Sequence, residues 1–241
     1  MIKDVKLTLV IPAYNEEKIL GKALKSIINF LSGKNFGWEV IVVDDGSKDK
    51  TSQVVKSFKR PEVRLVRLAE NQGKGAAIRA GMLEAIGNFV IFSDADLSVS
   101  IEKVGDFLQE LEKSDVVIGS RRIRGSKILI HQPWFRETLG RGFTLITNLI
   151  FGMNISDFTC GFKGFSRKAA LNIFGRAQIS RWSYDAEILF LAQKLGYKIV
   201  EVPVHWKNRK ATRVTLKTAI LTSFRDLFRI RINNFLGKYG T

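Results

Sequence analysis

Two carboxylates one residue apart, Asp94 and Asp96, follow directly on the apolar run Phe89-Val-Ile-Phe92. Four consecutive β-favouring residues read as a strand buried on both faces, as in a parallel sheet covered by helices. Ligands of open α/β sheets bind outside the carboxyl ends of the strands, so this position suits a site. Carboxylates at this spacing can face one hard cation, Mg²⁺ or Mn²⁺, and leave its other positions to phosphate oxygens. Asp also serves solvated turns and helix N-termini, so the pair alone does not decide. A second acidic pair, Asp44-Asp45, ends another apolar run, Trp38 to Val43. Two such pairs in one half of the chain favour nucleotide-plus-metal chemistry.

The elements that must hold these residues are legible in hydrophobic periodicity. Lys6 to Ile11 reads as a first strand, stopped by Pro12, and Ile19 to Leu31 recurs at helical spacing. The strand at Trp38 precedes a short helix over Thr51 to Phe58, a third strand over Val63 to Leu68 and a helix over Ala76 to Ala85. The strand at Phe89 is the fourth. This β-α-β-α-β-α-β order predicts a parallel, doubly wound sheet. Gly73-Lys74-Gly75 invites a phosphate-loop reading, but it lacks the spacing of either glycine-rich phosphate motif and fits a plain turn equally well. Further along, the pattern predicts a helix over Ile101 to Leu111, a strand at Val116 to Ile118, a helix over Ile188 to Leu195 and a last strand from Ile199 to His205.

Composition narrows the partners. The 241 residues carry a net charge of +16, which calls for anionic partners: nucleotide, nucleic acid or a membrane surface. No basic block, zinc spacing or aromatic-interleaved basic ribbon speaks for nucleic acid, and the acidic pairs would repel its phosphates. A nucleic-acid-binding module is therefore the weaker reading. The one cysteine, Cys160, excludes an internal disulfide and fits a reducing compartment. No signal-peptide layout and no apolar run of about 20 residues is present. With two histidines, His131 and His205, a histidine-based metal site or triad is not expected.

Beyond Ser120 the character changes. Residues 121 to 148 place Arg121, Arg122, Arg124, Lys127, Arg136 and Arg141 among Trp134, Phe135 and Phe143 without clean periodicity. Such a segment reads as a disordered loop or a surface apposed to anionic lipid, followed by an apolar, helical Leu145 to Phe151. Thr215 to Leu236 reads as a basic amphipathic helix, with Leu216, Ile220, Phe224, Leu227, Phe228 and Phe235 taken as one face. It suits either the core or the membrane interface. Residues 1–210 are expected to form the main domain and 211–241 a basic, membrane-interfacial extension.

Pro12-Ala-Tyr-Asn-Glu16, Asp44-Asp-Gly-Ser47, the Asn71 to Gly75 turn, Asp94-Ala-Asp96 and Gly119-Ser-Arg121 together resemble family two glycosyltransferases of the GT-A fold. More narrowly they resemble polyprenyl-phosphate hexose synthases. Asp157-Phe-Thr-Cys-Gly-Phe-Lys163, Arg181-Trp-Ser-Tyr-Asp-Ala-Glu187 and Val202-Pro-Val-His-Trp206 are similar to the dolichyl-phosphate β-glucosyltransferase branch. The resemblance implies an α/β GT-A fold with a mostly parallel sheet and C-terminal amphipathic helices. It implies an inverting transfer of a hexose, glucose from UDP-glucose, to a polyprenyl or dolichyl phosphate at the cytoplasmic membrane face. A GDP-mannose-dependent mannosyltransfer shares the same motifs.

By position, the resemblance assigns Pro12, Tyr14, Glu16, Asp44, Asp45 and Lys74 to the nucleotide sugar, with Asp94 and Ala95 beside its diphosphate. Arg209 and Arg213 fall in the loop closing over that diphosphate. Asp94, Asp96 and Ser98 are assigned to the Mg²⁺ or Mn²⁺, Ser98 standing where mannosyl relatives carry Gln. Asp96 is assigned to catalysis with Arg121 and Arg136, which match residues receiving the lipid phosphate. Gly140 replaces a Ser of the mannosyl branch. A phosphomonoester is already an anionic nucleophile, so the reaction needs positioning arginines rather than a strong base.

Overall fold

A computed structural model describes residues 4–208 and 216–240. Nine strands and eight α-helices are present among them. The chain runs β1 (Val5–Ala13), α1 (Leu20–Ser32), β2 (Gly37–Asp44), α2 (Thr51–Lys56), β3 (Val63–Arg67), α3 (Lys74–Glu84) and β4 (Phe89–Ser93). It continues with α4 (Val104–Leu111), β5 (Val116–Ser120), β6 (Lys127–Ile130), α5 (Trp134–Phe151), β7 (Phe162–Ser166) and α6 (Arg167–Arg176). The last elements are α7 (Tyr184–Lys194), β8 (Ile199–Pro203), β9 (His205–Lys207) and α8 (Leu216–Phe235).

Seven strands form one sheet in the order β3-β2-β1-β4-β7-β5-β8. β1 to β4 are mutually parallel, as the sequence predicts, and β5 pairs in parallel with β8. β7 lies antiparallel between β4 and β5, so the sheet is mixed rather than fully parallel. Period-two alternation sends neighbouring side chains to opposite layers. Leu9 and Ile11 of β1 and Ile91 of β4 pack with α1 and α4, while Val10, Val90 and Phe92 pack with α3, α6 and α7. Both layers are apolar, which is why these strands read as continuous hydrophobic runs.

The C-terminal segment belongs to the same core. Leu227, Ile230 and Tyr239 are buried in the α3/α6/α7 layer, and the Tyr239 hydroxyl donates to Glu187 Oε1 at 2.7 Å. The apolar residues of α8 are therefore not one face. Leu227 and Ile230 turn inward, while Phe228, Ile232 and Phe235 are exposed, because adjacent positions on a helix stand about 100° apart. The stretch expected to lack periodicity also resolves into structure: β6 pairs with β9, and α5 begins at Trp134, just after Pro133.

Candidate active site

A cleft of about 940 Å³ opens at the carboxyl ends of β1, β2 and β4. Pro12, Tyr14, Glu16, Asp45, Lys74, Asp94, Ala95 and Asp96 line it, joined by Asn71, Leu97, Arg181 and Trp182. Most residues assigned to the nucleotide and metal are thus brought together. β1 delivers Pro12, the turn after β2 delivers Asp45, and the turn after β4 delivers both carboxylates.

That last turn is tightly built. Leu97 N–H donates to the Asp94 carbonyl at 3.1 Å, and Leu97 itself sits at φ 51°, a left-handed conformation that a branched side chain rarely adopts. A Cβ added to Gly161 would lie 2.1 Å from Asp94 Oδ2, so a side chain there would displace the carboxylate from its position. On its other side Asp94 Oδ1 is 2.5 Å from Lys74 Nζ. The Asp94 carboxylate beside it holds the ammonium pKa well above its ordinary value. Asp96 accepts from the Ser98 amide at 2.9 Å and from the Ser98 hydroxyl at 2.7 Å.

The pair fits a divalent cation. Both carboxylates present hard oxygens to one cleft, the donor chemistry that Mg²⁺ and Mn²⁺ take. No cluster of three His, Cys, Asp or Glu side chains occurs among the described residues. The pair therefore suits a cation completed by phosphate oxygens rather than a cage made by the protein. Ser98 is not placed as a ligand: it does not line the cleft, and its hydroxyl orients Asp96.

Asp44 also departs from its assigned role. Its side chain is fully buried and accepts from the Ser47 amide and the Ser52 hydroxyl, so it clamps the turn into α2 beneath the cleft. Asp45 does line the cleft, yet it too is tied, accepting from the Gln72 and Gly73 amides at 2.8 and 2.9 Å. Burial raises its pKa, and those two amides oppose the rise. The same bonds occupy the Gln72 and Gly73 amides, and Ala76 N–H donates to the Ser180 carbonyl. Gly73-Lys74-Gly75 is the start of α3, with Gly73 at φ 106°.

Neither Arg121 nor Arg136, the arginines assigned to the lipid phosphate, lines the cleft. Arg121 makes a bidentate pair with buried Asp157, Nε to Oδ2 at 2.6 Å and Nη2 to Oδ1 at 2.8 Å, and lies 5.3 Å from the Trp206 ring. Burial alone would raise the Asp157 pKa; the Arg121 bonds and charge outweigh it and lower the value. Arg136, in the first turn of α5, has a buried Nε without a hydrogen-bond partner. Arg209 and Arg213 lie outside the described residues. Sequence reasoning gave no role to Lys163, fully buried on β7, which donates to Asp185 Oδ1 at 2.5 Å and to the Cys160 carbonyl at 2.6 Å. Its signal was its place at the end of the Asp157-to-Lys163 motif. His131 pairs with Glu137 at 2.9 Å, and neither histidine reaches the cleft.

The family model described as glycosyl transferase family 2 matches residues 8–174. The chain belongs to glycosyl transferase family 2. It is 36% identical to a dolichyl-phosphate β-glucosyltransferase of Dictyostelium discoideum over 251 residues, covering 98% of this chain and 77% of that protein. A human protein of the same description is 32% identical, with 97% and 77% covered. Among solved structures, glucosyl-3-phosphoglycerate synthase of Mycobacterium tuberculosis with UDP aligns at a TM-score of 0.66 and 21% identity, covering 94% of this chain and 80% of that one. Mannosyl-3-phosphoglycerate synthase of Rubrobacter xylanophilus aligns at 0.69 and 16%, covering 98% and 76%. These neighbours establish the GT-A fold of this glycosyltransferase.

Proposed function

We propose that the enzyme transfers glucose from UDP-glucose to a dolichyl or related polyprenyl phosphate, with Mg²⁺ or Mn²⁺ held by Asp94 and Asp96. The observation that carries this reading is the convergence of those two carboxylates and Lys74 with Pro12, Tyr14, Glu16 and Asp45 around one cleft. The names of the relatives supply the glucosyl group and the lipid acceptor. When bound, the cation would offset negative charge developing on the leaving diphosphate. Lys74 stands beside Asp94 as a second positive charge for the same oxygens. An acceptor phosphate oxygen attacks the anomeric carbon as the bond to the diphosphate breaks, and UDP leaves from the opposite face. The anomeric configuration inverts, and no proton has to move. A cleft lined by no histidine is consistent with that chemistry.

Arg136 is the arginine we assign to the acceptor phosphate, because its guanidinium has a buried nitrogen still to satisfy. Arg121 is assigned to shaping that region through Asp157. We also propose peripheral attachment to the cytoplasmic face of a membrane. Leu149 (82% exposed) on α5 and Phe235 (89%) on α8 offer apolar surface beside the exposed Arg141, Arg229 and Arg231. No described helix is long and apolar enough to cross a bilayer. The single buried, free cysteine suits a reducing compartment.

The test offers radiolabelled UDP-glucose and GDP-mannose with a polyprenyl phosphate, each with Mn²⁺, with Mg²⁺ and with chelator. Label should enter the lipid from UDP-glucose and only with metal. Transfer from GDP-mannose alone overturns the donor, and full transfer under chelator overturns the metal.

A further inference from the structure

Two lysine–aspartate pairs stand near β4, and they differ in one respect. Lys163–Asp185 and Lys74–Asp94 both have N···O distances of 2.5 Å. The first is sealed, its side chains 0% and 9% exposed. The second lies open at the cleft, its side chains 41% and 34% exposed. A sealed pair is permanent, because parting it strands a charge away from water. An open pair can exchange partners, because water or another ion can take either charge.

The open pair engages the carboxylate assigned to the metal. Lys74 Nζ sits on Asp94 Oδ1, and the Gly161 backbone closes against Oδ2. Asp96 is the other acid of the motif, and its oxygens already accept from Ser98. A cation entering the nucleotide-free cleft therefore meets one carboxylate whose charge is already neutralised. A nucleoside diphosphate changes this, since it offers the ammonium other oxygens and brings phosphate ligands for the cation.

Resting on the metal reading above, we infer that Lys74 is a resident counter-ion that keeps divalent metal out of Asp94 until the nucleotide diphosphate draws the ammonium away. Metal and nucleotide then bind as a unit, and the enzyme does not retain the cation after the nucleotide departs. Lys74 is in this sense a positioning residue that sets the order of binding.

The experiment measures Mn²⁺ binding to the full chain by the paramagnetic resonance signal of free Mn²⁺, with and without UDP. The wild type should bind Mn²⁺ weakly alone and tightly with UDP. Removing the unit charge that sits on Asp94 should tighten binding to the nucleotide-free protein by about tenfold or more, so Lys74→Met is expected to hold Mn²⁺ without UDP. Lys74→Gln, also neutral, carries the same expectation should the Met variant fail to fold. Lys74→Arg keeps the charge and should stay as weak as wild type. Neutral variants that bind Mn²⁺ no better than wild type overturn the inference, as does equal tightening by Lys74→Arg. If wild type with UDP binds no Mn²⁺ and Asp96→Asn changes nothing, the metal reading itself falls and this inference with it.

Discussion

The two halves of the sheet handle charge in opposite ways. From β1 to β4, acids stand at the ends of parallel strands and do two jobs: Asp44 and Asp45 tie turns together, while Asp94 and Asp96 face the cleft. Beyond antiparallel β7 the prominent charges are basic, and they are held by partners: Arg121 by Asp157, Arg122 by Thr144 and Ser156, Lys163 by Asp185. The contrast follows from desolvation. An acid at a strand end can be met by backbone N–H groups of turns, as Asp44 is by Ser47 and Asp45 by Gln72 and Gly73, whereas a buried cation needs acceptor oxygens brought from elsewhere in the chain. The first half is therefore preorganised by turn backbone and the second by side-chain pairs.

The largest expected effect breaks one of those pairs. Asp157→Ala leaves the Arg121 guanidinium without its anion and should lower unfolding free energy by about 3 kcal/mol, near the low end for a disrupted buried pair because Arg121 retains some exposure. Urea unfolding reads this. The pH dependence has a definite sign: the Asp157 pKa is lowered on folding, so its contribution is present above the unfolded carboxyl value of about 4 and fades as pH falls. A variant as stable as wild type at pH 7 would show that the second half does not depend on the pair.

In the first half the corresponding change should strike activity and spare the fold. Asp96 is half-buried and outside both core clusters, and its oxygens meet only Ser98 among the described residues. Asp96→Ala is expected to reduce kcat/KM by roughly 10²- to 10³-fold, the scale for losing one electrostatic stabiliser of a transition state, with little change in Tm. Metal-dependent turnover at the wild-type level would remove Asp96 from the site.

How much of this contrast the sequence carries depends on the range of the interactions. β1, β2 and β4 were legible as continuous apolar runs and β3 by its alternating Val63-Arg-Leu-Val-Arg67, and the acids were legible because they close the runs of β2 and β4. Which acid clamps a turn and which faces the cleft was not, since Asp44 and Asp45 differ only in the side to which the chain turns. β7 escaped because Lys163 and Gly164 interrupt its hydrophobic pattern, and the burial of Lys163 depends on Asp185, 22 residues away. α5 was only half visible because Gly140 and Gly142 blur its period. In α8 apolar residues occupy two faces, and only packing against α7 separates them.

Arg136 sharpens the comparison at a middle scale. It is a second-half cation whose buried Nε has no partner among the described residues, so Arg136→Ala should raise KM for the lipid phosphate about tenfold, the scale of one hydrogen bond between charged groups. UDP affinity, read by titration, should stay within twofold of wild type on the same scale. Matching losses for both substrates would assign Arg136 to the donor side instead and erase the division of labour.

The smallest expected effect concerns the outer surface of the second half. α8 turns Leu227 and Ile230 into the core and leaves Phe228, Ile232 and Phe235 outside, with Arg225, Arg229 and Arg231 exposed beside them. A helix lying in a membrane interface needs such an apolar edge beside basic side chains, and each basic group near an anionic surface contributes roughly 1 kcal/mol. Arg229→Ser should therefore weaken binding to anionic vesicles about fivefold, a change of that size. Sedimentation with anionic and neutral vesicles at two ionic strengths reads the effect, and high salt should reduce the wild type toward the variant because exposed charges are screened within about 10 Å at 0.1 M. Truncating α8 is the wrong instrument, since it also removes Leu227, Ile230 and Tyr239 from the core. A surface substitution leaves that packing intact. If Arg229→Ser and wild type sediment alike with anionic vesicles at low salt, this arginine does not face lipid. If neither sediments at all, the exposed edge of α8 is not a membrane surface, and the basic charge of the second half serves the soluble fold and the acceptor phosphate alone.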